Sequence, residues 1–62
     1  MSAFDLYQLA TVQIGEGDRS GAARSLERAI ARIDSDGVDR ELRGDLASLR
    51  RSLIISAGAP TP

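Results

Sequence analysis

The chain reads as an all-α protein, a three-helix bundle built from an antiparallel helical hairpin and a third amphipathic helix. Three observations lead there. Three segments repeat apolar residues every three or four positions, as one buried face of a helix requires. No segment shows the period of two that marks a half-buried strand. The two breaks between segments are short and carry glycine, which makes successive helices antiparallel neighbours.

The first helix is expected from about Ala3 to Ile14. Ser2 stands where a capping side chain belongs, and Asp5 follows three residues later, where an acid favours the helix dipole. Its apolar residues are Phe4, Leu6, Tyr7, Leu9, Ala10, Val12 and Ile14, too many for a single stripe. Leu6, Leu9, Ala10 and Val12 are expected to fill one side, with Phe4, Tyr7 and Ile14 turned toward another. A helix that is apolar on two sides needs two neighbours.

Gly15 and Gly17 are expected to stop this helix, because glycine readily takes the left-handed conformation that closes helix ends. Asp18 caps the second helix, whose first turn holds Arg19, Ser20 and Gly21 and which continues to about Asp34. Ala22, Ala23, Leu26, Ala29, Ile30 and Ile33 form one apolar face rich in small residues. Such a face lets backbones approach closely and places this helix in the middle of the packing.

Ser35-Asp36-Gly37 reads as the second turn, followed by a helix from about Val38 to Ser56. Val38, Leu42, Leu46, Leu49 and Leu53 repeat along one side. Acids gather near its start and Arg50 and Arg51 near its end, the order that the dipole favours. The last residues, Ala57 to Pro62, have nothing to bury and contain two prolines. The expectation is one helical domain over residues 1–56 and a disordered tail over 57–62.

The glycines of the "GEGDRSG" stretch raise a second possibility, a loop that cradles a phosphate. That needs a strand before the glycines and the spacing G-x-G-x-x-G, or a Gly-Lys-Ser/Thr end. The preceding segment is helical, the spacing is Gly15-x-Gly17-x-x-x-Gly21, and the chain has no lysine. A bend between packed helices needs a terminating glycine, a cap and facing alanines, and all three are present.

On these residues the hairpin resembles a tetratricopeptide repeat, a helix–turn–helix unit of about 34 residues. Leu6, Leu9 and Ala10 match that family's large–Leu–small pattern, Gly17-Asp18 its junction, and Ala22, Leu26 and Ala29 its second helix. The resemblance covers residues 3–34. It departs at Leu6 and Gln13, where the family usually has aromatics, and at Asp34, near the place of the closing proline. The third helix then resembles the single helix that seals such arrays. The resemblance implies that the inner face of the first helix, presenting Phe4, Tyr7, Thr11 and Ile14, grips a peptide or a partner helix. Coverage of those aromatics by the third helix is the competing reading.

Sixty-two residues make one small domain, and a chain of this size buries only about 60% of its unfolded surface. With no Cys and no His, disulfides and the commonest zinc ligands are absent, which leaves a protein partner or a second copy as the expected support. Cysteine-free composition fits a cytoplasmic location. The net charge of −1, from eight arginines and nine acids, provides no overall field for nucleic acid or an anionic membrane. No targeting segment or span is visible; the longest apolar run is Leu53-Ile54-Ile55.

Those three consecutive residues cannot share one face, so part of Leu53, Ile54 and Ile55 is expected to be exposed as a docking surface or packed at the helix end. Arg24, Arg28 and Arg32 recur every four residues with Arg19 nearby, either a contact for an acidic partner or a solvated face balanced by Glu27 and other acids. Asp34, Asp36, Asp39 and Glu41 have the wrong register for a calcium loop. No catalytic residue, metal, cofactor or small-molecule substrate is expected, since His, Cys and Lys are lacking. The expected function is a small interaction protein (chaperone, adaptor or accessory subunit). The alternatives are an inhibitor or immunity-type protein that blocks a partner's site, and a dimeric nucleic-acid-binding regulator.

Overall fold

The computed structural model describes residues 1–58 and contains, in order, α1 (Ala3–Gly15), α2 (Arg19–Asp36), a short 3₁₀ turn (Arg40–Leu42) and α3 (Arg43–Gly58). No strand occurs among the described residues. The protein is an all-α bundle of three helices.

Local chemistry accounts for the ends of each element. Ser2 Oγ accepts the Asp5 N–H at 3.1 Å and an Asp5 carboxylate oxygen accepts the Ser2 N–H at 3.3 Å, so two amides that the helix leaves unpaired are both satisfied. At the other end of α1 the Asp18 N–H reaches the Gln13 carbonyl at 2.8 Å and the Gly17 N–H reaches Ile14 at 3.0 Å. With Gly17 at φ +81°, this is a Schellman closure. Gly15, expected to be left-handed as well, is instead the last residue of α1; one left-handed residue is enough to reverse the chain. Asp18 Oδ1 accepts the Gly21 N–H at 2.9 Å and starts α2.

The second bend closes through Gly37 at φ +73°, whose N–H reaches the Ile33 carbonyl at 2.7 Å. Ser35 and Asp36 therefore belong to α2, two residues beyond its expected end. Asp39 is also left-handed, at φ +59°. Two such residues so close together prevent a helix from starting at Val38. Val38 lies in the turn, 55% exposed, and does not join the apolar face of α3 that its spacing suggested. At its far end α3 includes Ala57 and Gly58, the first residues of the expected tail; the remainder of that tail lies outside the described residues.

Helix α2 is the centre of the packing. It lies against both α1 and α3, whereas α1 and α3 scarcely meet. Its alanines explain the close approach: Ala22 and Ala29, with Leu26, are fully buried. The core is completed by Ala3, Leu6 and Ala10 from α1, Ile33 from α2, and Leu46 and Leu53 from α3. Leu9 and Val12, expected to pack beside Leu6 and Ala10, are 37% and 57% exposed. At about 100° per residue, position 12 falls nearly opposite the buried line through 3, 6 and 10, and position 9 falls on its flank.

Polar contacts tie both outer helices to α2. Ser25, a buried polar residue, donates its hydroxyl to Gln13 Oε1 at 2.7 Å. On the opposite flank Arg43 makes a bidentate contact with Asp34 at 2.7 and 3.2 Å, and Arg50 holds Glu27 at 2.6 Å.

Candidate functional site

Phe4, Tyr7, Thr11 and Ile14 are spaced three or four apart, so they run along one side of α1. The structure places that side by two independent contacts. Gln13, on the other flank of α1, bonds Ser25, so the Tyr7 side faces away from the Ser25 edge of α2. Arg43 and Arg50 of α3 reach the Asp34 and Glu27 edge of α2, the edge opposite Ser25. The four residues thus look toward the side of α2 on which α3 stands, with Leu49 turned back toward them from α3. Because α1 and α3 scarcely touch, this side is not closed over.

Within the strip, Phe4 is 46% exposed and Tyr7 is half-buried. Their ring centroids lie 6.5 Å apart at 40°, a tilted arrangement in the range of favourable aromatic pairs. Tyr7, Ile14 and Leu49 rest against the core from its margin. Thr11 is exposed, and its hydroxyl donates to the Tyr7 carbonyl at 3.0 Å. The hydroxyl is thereby occupied locally. The result is an apolar strip with a half-buried phenol and an exposed phenyl at one end.

The second apolar candidate separates into two parts. Leu53 is only 8% exposed and belongs to the core, because it lies two helical turns from Leu46 on the same face; it is not available to a partner. Ile54 and Ile55 are 45% and 60% exposed. They are the share of the run that no other helix covers.

The basic stripe also divides. Arg32 pairs with Asp36 at 3.3 Å, and Glu27, the acid expected to balance the stripe, is engaged by Arg50 instead. Arg24 and Arg28 are exposed and carry no ion pair among the described residues. They line a cavity of about 320 Å³ between α1 and α2, together with Leu9, Gln13, Asp18 and Ser25. Nothing in the sequence pattern placed Leu9 there; its exposure depends on where α2 lies against α1.

Two of the carboxylates after Ile33, Asp34 and Asp36, have structural partners. Asp34 is held below the usual carboxylate range chiefly by hydrogen bonds from Arg43, which outweigh the opposing effect of desolvation, with the Arg43 charge adding a smaller pull in the same direction. Asp36 accepts the Val38 N–H at 2.9 Å besides pairing with Arg32. Among the described residues no three acidic side chains gather as metal ligands would, and no helix is long and apolar enough to cross a membrane. The chain matches no protein-family model, no curated protein and no solved structure.

Proposed function

We propose that this chain is a small helical interaction module, an adaptor, chaperone or accessory subunit, that binds a larger protein through the Phe4–Ile14 side of α1. The observation that carries this reading is Phe4. It is a large aromatic, nearly half exposed and tilted against Tyr7 on a firmly capped helix. Aromatics held at the edge of a core are the usual anchors of protein interfaces. Covering apolar surface of this kind gains about 25 cal/mol for each Å² removed from water. Ile54 and Ile55 supply a second contact on α3. On this reading the α1–α2 hairpin works as a single tetratricopeptide-like unit, with α3 as the helix that completes it. An inhibitor of the immunity type would use the same surface and differ only in what its partner does.

The test is an affinity capture from host extract with Phe4→Ala and Ile54→Asp proteins beside the parent. Both positions are exposed, so helix content by circular dichroism should hold. Loss of a specific prey with either substitution supports the reading. Retention of every prey by both variants, or light scattering showing that the captured partner is only a second copy of this chain, replaces it.

A further inference from the structure

We propose that the groove between α1 and α2 receives an acidic peptide segment of a partner protein, with two carboxylates about one helical turn apart meeting Arg24 and Arg28. This surface lies on the Ser25 flank of α2, away from the Phe4 strip, so either assignment stands or fails without the other.

The argument begins with charge. Arg32 is paired with Asp36, Arg43 with Asp34 and Arg50 with Glu27. Arg24 and Arg28 stand on adjacent turns of one helix without an ion pair among the described residues, and the groove they line also holds the Asp18 carboxylate, one acid against two guanidinium groups. Asp18 is bound to the Gly21 N–H, and Glu27 lies on the far edge of α2 with Arg50. A guanidinium meets a carboxylate through paired, planar hydrogen bonds. Two of them four residues apart match carboxylates with the same spacing on another helix.

The cavity supplies the second argument. Its volume is about 320 Å³, and Leu9, 37% exposed, forms an apolar wall beside the two arginines. Its floor is the Ser25–Gln13 hydrogen bond at 2.7 Å, which satisfies the buried hydroxyl and fixes the surface before anything binds. The amide nitrogen of Gln13 lies beside Gly21, and a larger residue at position 21 would fill that corner. The groove therefore offers two guanidinium donors beside one apolar wall, with the Asp18 carboxylate held at its Gly21 corner. A phosphodiester chain needs a broad basic surface, and this chain has a net charge of −1.

Fluorescence anisotropy tests this with a labelled helical peptide carrying glutamates four residues apart and leucines between them. The competitors are its glutamine-for-glutamate twin, inorganic phosphate, and a single-stranded oligonucleotide of equal charge. Saturable binding of the glutamate peptide that weakens with added salt is expected. Arg24→Glu/Arg28→Glu should lower its affinity at least about tenfold, with Arg24→Gln/Arg28→Gln between the two. Arg51→Glu, an exposed change on α3, should leave it within about twofold. Circular dichroism checks that the helices persist. The proposal is overturned if the glutamate peptide does not bind, if its twin binds equally, if phosphate or the oligonucleotide competes as well as the peptide, or if Arg51→Glu weakens binding as much as the double reversal.

Discussion

The hydroxyl of Ser25 donates to the side-chain carbonyl of Gln13 at 2.7 Å, linking the middle of α2 to the last turn of α1. It is a directional contact in a hairpin otherwise packed through apolar side chains. Ser25→Ala leaves the Gln13 carbonyl without its partner in a half-buried place. The expected cost is about 1 kcal/mol, read as a lower urea midpoint. Pairing it with Gln13→Leu in a double-mutant cycle should recover a coupling energy; strict additivity would show that the bond contributes nothing.

Two glycine substitutions should have opposite signs. A side chain at Gly44 meets nothing within 4 Å, so Gly44→Ala should stabilise α3 by about 0.5–1 kcal/mol. A Cβ at Gly21 would collide with the Asp18 carboxylate and with Gln13. Helix propensity gains at most about 1 kcal/mol there, while the cap and the Gln13 bond are each worth about as much. Gly21→Ala should therefore destabilise by about 1 kcal/mol in the same urea titration.

Leu26 and Leu46 are the largest fully buried side chains. A large-to-alanine change in such a place costs about 2–5 kcal/mol, and a domain this small has only about 3–5 kcal/mol in total. Leu26→Ala should be largely unfolded at room temperature by circular dichroism, and Leu46→Ala severely weakened. A Leu46→Ala protein that melts like the parent would mean that α3 is not docked as described.

The Asp34–Arg43 pair has a pH signature. Arg43 lowers the folded-state pKa of Asp34, so the unfolded chain takes up the proton first as acid is added. The stabilisation is fully present above the unfolded value of about 3.9 and is lost as the pH falls through the lower folded value. Urea midpoints measured between neutral and strongly acid pH should show a shallower acid limb for Arg43→Gln than for the parent. Both residues are about half exposed, so the difference should shrink in high salt.

Much of the hairpin was readable from residues close together in the chain. The Ser2–Asp5 box, the Asp18 cap and the terminating glycines depend on contacts within a few positions, and the apolar period of α2 names its buried face correctly. The third helix was placed too early at Val38 because spacing alone does not reveal that Asp39 is left-handed. The run Leu53-Ile54-Ile55 announced that something would be exposed without saying which residue. Which arginines of the stripe lack an ion pair depends on Arg50 engaging Glu27, a partner distant in sequence.

The order of residues dictated three helices, the caps of the first two, the two reversals and the alanine face of the central one, because hydrogen bonds and backbone preferences over a turn or two settle such features. Folding in space chose which apolar groups stay in water. Periodicity gives each side chain an angle about its own helix axis, but whether that angle meets a neighbour depends on where the other helices come to rest. Here α3 settles against α2 and away from α1, leaving Phe4 open while drawing Leu53 into the core.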